Sequence, residues 1–138
     1  MKTAFAAVLA LTIPAAAFAC DQEMNAKAAI QKVTVAEVQS LTKEKKATAV
    51  DANGKETRAK YGTIPGALLL TSAKFEPSKE LPTAKDASLV FYCANTMCSA
   101  AEKAAKRAVE AGYTKVAVMP DGIMGWKDSG APVAMPRS

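Results

Sequence analysis

Ser88-Leu89-Val90-Phe91-Tyr92-Cys93-Ala94-Asn95-Thr96-Met97-Cys98-Ser99-Ala100-Ala101-Glu102 is the stretch on which the fold turns. Its first five residues form an apolar run of strand length without the alternation of a strand that has one wet face. Such a run belongs at the centre of a sheet covered on both sides. Further on, Ser99-x-x-Glu102 is a capping-box pattern opening a helix that Gly112 closes. Within that helix Ala101, Ala104, Ala105 and Ala108 share one face, and Glu102 and Lys106 form an i,i+4 pair on another. A stripe of Ala lets a helix lie close against a sheet. Strand, short loop and capped helix thus follow in order, and Cys93 stands where the strand ends.

Outward from this unit, strand and helix signals alternate. Toward the C-terminus, Lys115 to Met119 predicts a strand, Asp121-Gly122 a turn, and Ile123 to Asp128 a short helix. Toward the N-terminus, Val33-Thr34-Val35 predicts a short strand feeding a helix on which Val35, Val38 and Leu41 recur. Ala47 to Val50 is a β-prone run ending at Asp51. Asp51 to Gly62 is charged and turn-rich, with Asn53-Gly54 as its strongest turn signal. Ile64-Pro65-Gly66 turns the chain into an apolar strand at Ala67 to Leu70, and Phe75 to Lys85, with Pro77 and Pro82, reads as a connecting loop or a single helical turn. Helix-length crossovers between successive strands predict an α/β fold with a mostly parallel sheet flanked by helices on both faces.

The chain has 138 residues, 50% hydrophobic and 22% charged, enough for one domain with a real core. Residues 1–19 have the form of a signal peptide. Lys2 is followed by the apolar run Ala4 to Ile13, then Pro14, and Ala17-Phe18-Ala19 suits cleavage before Cys20. The expected division is therefore signal peptide 1–19, flexible arm 20–32 and folded domain 33–138, in a periplasmic or otherwise exported protein. A Cys directly after the cleavage point also raises lipid attachment at Cys20; Ala17 stands where such signals normally carry Leu, so a lipoprotein is the lesser expectation. The apolar run is too short for a transmembrane span, and nothing later reaches its length. The net charge of +5 falls by one when the leader and Lys2 leave. The basic residues are scattered, and aromatics, 6% of the chain, are not interleaved with them, which argues against nucleic acid as a partner. Weak attraction for small anions is compatible with this charge.

The three Cys residues, an odd number in an exported chain, leave at least one thiol without an intramolecular partner. In parallel sheets ligands bind beyond the carboxyl ends of the strands, where loops lead into helix N-termini. Cys93 to Ser99 occupies that place. The successive N–H groups of Ala94, Asn95, Thr96, Met97, Cys98 and Ser99, with the positive end of the helix, predict a cradle for a Cys93 thiolate, a persulfide or an anionic sulfur donor. Such a site needs no histidine, and the chain contains none, which closes the Cys-His protease route. Cys98 is a bystander, a resolving thiol, or the partner of Cys93 in a disulfide. Met97 beside the two thiols makes a soft donor set for an ion such as Cu(I), but ligands for a zinc site are lacking, and the expectation is no metal and no cofactor. Trp126 is expected as a core anchor; Glu102, Lys103 and Arg107 as the wet face of a helix; Arg58 and Lys60 at most as added positive potential.

Several segments resemble the rhodanese family. Gly62-Thr63-Ile64-Pro65-Gly66-Ala67 is similar to the family's G-H-I-P-G-A, with Thr63 in place of His. Val90-Phe91-Tyr92-Cys93 resembles its strand ending in the catalytic Cys, and Gly112-Tyr113, Val116, Asp121-Gly122-Ile123-Met124-Gly125-Trp126 and Pro132-Val133 resemble its C-terminal motifs. The resemblance covers about residues 33 to 133 and implies a sulfurtransferase of the thiosulfate type; separately, a monomer is expected. In it Cys93 becomes a persulfide by attack on a small anionic donor such as thiosulfate, and passes the sulfur to a thiol or cyanide. Two departures stand out. Asp51-Ala52-Asn53 lacks the Arg of the family's D-x-R. Phosphatases and arsenate reductases on this fold carry an Arg six residues after the Cys, and position 99 is Ser, which argues against phosphoryl chemistry. Two other classes stay open: a thiol-disulfide redox protein using Cys93 and Cys98, and a noncatalytic soft-metal-binding module.

Overall fold

β4 (Ser88–Tyr92) is the central strand of a five-stranded sheet whose other members are β1 (Gln31–Lys32), β2 (Thr48–Asp51), β3 (Leu68–Leu69) and β5 (Lys115–Met119). The strand order is β1-β5-β4-β2-β3, and these neighbours all pair in parallel. The helices α1 (Val35–Lys43), α2 (Lys55–Tyr61), α3 (Pro77–Glu80) and α4 (Ala100–Glu110) fill the crossovers, and α5 (Gly122–Asp128) follows β5. These elements come from a computed structural model that describes residues 30–135. The expected signal peptide, Cys20 and the greater part of the expected arm lie outside the described residues.

The period of two along β4 explains why it reads as continuously apolar. Leu89, Phe91 and Cys93 enter one core cluster with Ala101, Ala104, Ala105 and Ala108 of α4. Val90 and Tyr92 enter the opposite cluster with Val38 of α1 and Ile123 and Trp126 of α5. Both faces are therefore dry, as expected for helices on both sides of a parallel sheet. The Ala stripe lies against the strands as predicted, and α4 ends in a Schellman turn. Gly112 at φ +95° lets the amides of Gly112 and Tyr113 reach the carbonyls of Val109 and Ala108 at 3.0 and 3.1 Å.

Four local expectations are corrected. The first strand is Gln31–Lys32, pairing with Ala117 and Val118, so Val33 to Val35 is the junction into α1. The capping box belongs to Thr34 and Glu37: the Glu37 amide donates to Thr34 Oγ1 at 3.3 Å, and the Thr34 amide to Glu37 Oε2 at 2.7 Å. That backbone N–H bond, with help from the Thr34 hydroxyl, holds the Glu37 carboxyl below its ordinary range. Ser99 does sit at the N-cap of α4, but with φ −91° and ψ 0° its side chain makes no capping bond, so the expected box with Glu102 is not formed. Glu102 faces Lys32 at 3.9 Å on the surface rather than Lys106, a contact of little energetic weight. Finally, the turn-rich segment after β2 contains a helix, α2, entered at Gly54 and closed by Gly62 at φ +79°. A Cβ at position 62 would come 3.0 Å from the carbonyl oxygen of Ala134, where the chain's tail bridges to Thr63.

None of the described helices is long and apolar enough to cross a membrane.

Candidate active site

The connection leaving β2 runs through α2 to β3 on one side, whereas the connection leaving β4 runs through α4 to β5 on the other. β2 and β4 are neighbours in register from Thr48↔Leu89 to Asp51↔Tyr92. Their carboxyl ends therefore flank a topological switch point, the place where parallel sheets leave a crevice for ligands. Cys93 is the first residue beyond β4 at that point and is 2% exposed.

From Cys93 the chain makes a tight turn. Asn95 organises it twice: its carbonyl accepts from the Cys98 amide at 3.1 Å, and its Oδ1 accepts from the Met97 amide at 3.0 Å. The turn folds Cys98 back onto Cys93 as a disulfide pair with Cα atoms 6.3 Å apart, inside the range that a disulfide requires. Cys93 is buried, Cys98 half-buried, and Met97 at the tip is 93% exposed. Of the six amides expected to form the cradle, those of Met97 and Cys98 are thus engaged within the turn, and those of Ala94, Asn95, Thr96 and Ser99 are not. The Ser99 hydroxyl is exposed and uncommitted to the helix.

The loop rests on the start of α5. The amides of Ile123 and Met124 donate to the carbonyls of Cys93 and Ala94 at 2.8 and 3.0 Å, and Asn95 Nδ2 lies 3.5 Å from Met124 Sδ. This approach is close because position 122 has no side chain: a Cβ there would stand 2.5 Å from the carbonyl carbon of Ala94, and Gly122 has φ +62°. The Asp121-Gly122 signal marked a turn; its second use, as the floor of the reactive loop, is visible only in three dimensions.

On the other face of β4, Tyr92 anchors a buried polar network. Its hydroxyl donates to Asp51 Oδ2 at 2.7 Å and accepts from the Ile64 amide at 3.0 Å, while Asp51 Oδ1 accepts from the Asn53 amide at 2.7 Å. Arg58 completes it. Its Nη2 donates to the carbonyls of Asp51 and Leu70, both at 2.9 Å, and its Nε stands 3.4 Å from Asp51 Oδ1. Burial, and after it the negative charge of Asp51, push the Tyr92 hydroxyl far above its ordinary range, so it stays a donor. Arg58, read from the sequence as surface charge, is 8% exposed. It places a guanidinium at the end of β2, where position 53 is Asn, and nothing in the charged, turn-rich segment announced it. Trp126 is a core anchor as expected, its Nε1 donating to the Pro132 carbonyl at 2.8 Å. A groove of about 510 Å³ runs over Gln39, Thr42, Ile64, Pro65, Trp126 and Pro132; it shares no residue with the 93–99 loop.

Comparison with known proteins agrees with this architecture. The family model of the rhodanese-like domain matches residues 34–129, more than half of the chain. Among solved structures, the human single-domain sulfurtransferase TSTD1 is 28% identical, with 70% of this chain and 95% of that chain covered and a TM-score of 0.57. A Rhodopseudomonas palustris protein of unknown function, described as a possible tyrosine phosphatase, is 27% identical over 78% of this chain and 87% of that chain, with a TM-score of 0.61. The polysulfide-sulfur transferase homodimer of Wolinella succinogenes shares the fold at 20% identity, covering 78% and 80% of the two chains with a TM-score of 0.64. No curated protein matches the chain by sequence.

Proposed function

Because the chain belongs to the rhodanese-like domain family, within which sulfur transfer is the supported class of activity, we propose that it is an exported sulfurtransferase with Cys93 as the sulfur carrier. The single observation that carries the proposal is the placement of Cys93 at the end of the central strand, at the switch point, one turn before the N-terminus of α4. With Cys98 reduced, the Cys93 thiolate attacks the outer sulfur of a small anionic donor such as thiosulfate and expels sulfite. A thiol or cyanide then removes the sulfur from the persulfide. Negative charge is present at each stage, and the amides of residues 94–96 and 99 that the turn does not engage, with the first turn of α4, would supply dipoles to stabilise it. No cofactor enters these steps.

The phosphatase description of the Rhodopseudomonas relative does not extend to this chain. A phosphate clamp needs a cation in the loop, and position 99 is Ser while Arg58 is committed to Asp51 and Leu70. The Cys93–Cys98 pairing does favour one second reading, a thiol-disulfide redox protein. Reduced protein assayed with thiosulfate and cyanide separates the two. Sulfurtransferase chemistry predicts thiocyanate formation that falls at least about a thousandfold in Cys93→Ala and survives in Cys98→Ala. No thiocyanate from wild type or Cys98→Ala, with a dithiol-disulfide couple that either substitution abolishes, would establish the redox protein instead.

A further inference from the structure

Cys98 is not needed for the two-step transfer above, yet the turn built by Asn95 delivers its sulfur onto that of Cys93. We infer that Cys98 is an internal acceptor that converts the Cys93 persulfide into free sulfide, so that the protein reduces sulfane sulfur at the expense of its own thiols. This rests on the proposed persulfide at Cys93.

The geometry selects which sulfur is attacked. Cys98 Sγ is brought to Cys93 Sγ itself, the inner atom of a persulfide, rather than to the outer sulfur beyond it. Attack of the Cys98 thiol on Cys93 Sγ forms the Cys93–Cys98 bond, breaks the bond to the outer sulfur, and expels it as hydrosulfide, which carries away the proton of Cys98. The outer sulfur gains two electrons, and the two cysteine sulfurs lose one each. The product is the disulfide that the structure holds. An external dithiol then resets the pair: it attacks a disulfide sulfur, releases both protein thiols and is itself oxidised to a disulfide. Access favours attack at Cys98, which is half-buried next to the exposed Met97, and makes the buried Cys93 the leaving thiolate, ready for the next donor. Over a full cycle, sulfane sulfur and a dithiol become sulfide and a disulfide.

A single turnover tests this. The full chain is reduced, freed of reductant without air and given thiosulfate, or in a parallel run a polysulfide, with sulfide trapped as it forms; sulfide and intact mass are then read. The expected result is about one sulfide per chain, with a final mass lower by two hydrogen atoms and no retained sulfur. Cys98→Ala is expected to retain one sulfur atom and release no sulfide, and Cys93→Ala to do neither. Wild-type protein that retains the sulfur and releases no sulfide would overturn the inference and leave the sulfurtransferase intact. Failure of both the wild type and Cys98→Ala to take sulfur from either donor would instead overturn the persulfide on which it rests.

Discussion

Tyr92 and Cys93 are consecutive residues at the end of one strand, 0% and 2% exposed, and they face opposite sides of the sheet. Tyr92 is tied on three sides to Asp51, Ile64 and, through Asp51, Arg58, all of which sit on or between regular elements. Cys93 is tied to a sulfur on a turn whose tip is in water. Burial alone therefore does not distinguish scaffold from chemistry here. The difference lies in what holds the partner: a polar group whose partners stand on rigid elements has one arrangement, whereas one whose partner rides the loop between Tyr92 and Ala100 can exchange it.

The contrast can be broken or sharpened by substitution. The largest effect is expected on the scaffold side. Arg58→Met leaves the buried Asp51 carboxylate without its cation and removes the guanidinium bonds to the carbonyls of Leu70 and Asp51, the latter keeping the Leu70 amide; it should cost about 3–5 kcal/mol, read as a lower urea midpoint. Sulfur transfer per folded molecule should hold. If Arg58→Met were as stable as wild type, the polar end of β2 would not be the rigid member of the pair. Gly122→Ala strikes the reactive side through its floor: the added Cβ and the positive φ should cost about 1–3 kcal/mol. Because the strain is relieved by moving Ala94, transfer should also fall at least about tenfold, with a loss in turnover that Arg58→Met does not show.

Tyr92→Phe removes one bond from a carboxylate and one from a buried amide, for about 1–3 kcal/mol at neutral pH. It also has a sign in pH. The hydroxyl keeps its proton in the fold far above the 10.0 at which an unfolded tyrosine loses it, so its contribution is complete below that pH. As pH rises further, the unfolded chain gives up a proton that the folded one retains, and stability falls by up to about 1.4 kcal/mol per unit from this group. Denaturation midpoints against pH should therefore decline more steeply in wild type than in Tyr92→Phe above pH 10.0; parallel curves would remove Tyr92 from the network. The smallest effect is expected at Ser99, whose side chain caps nothing: Ser99→Ala should change stability by less than about 0.5 kcal/mol. Thr34→Ala, which breaks a real cap, should cost about 1 kcal/mol.

Periodicity and punctuation made most of this legible. The doubly apolar run at Ser88–Tyr92, the Ala stripe on α4 and Gly112 after it each appear in the structure where the sequence places them, because each depends on neighbours close along the chain or on a face that must be dry. The candidate nucleophile was legible for the same reason, since a strand end followed by a helix start is a local pattern. The failures share a cause as well. Ser99-x-x-Glu102 and Thr34-x-x-Glu37 are the same pattern, yet only the second forms a box, because the backbone at Ser99 is set by the turn that returns Cys98 to Cys93. The charged segment Lys55–Tyr61 lacks an apolar stripe to announce a helix; what holds Arg58 there is Asp51 and the carbonyl of Leu70, twelve residues away.

By itself, then, the sequence determined the alternation of strands and helices, the central position of β4 and the cysteine at its end, since these follow from side-chain period and backbone propensity within short windows. Only the tertiary structure decided that β2 and β4 lie side by side at a switch point, that Arg58 is buried against Asp51 while Cys93 is paired with Cys98, and that Gly122 lies under the reactive loop. Those outcomes depend on which distant backbones approach within hydrogen-bonding or bonding distance, and no local pattern in the chain encodes such a distance.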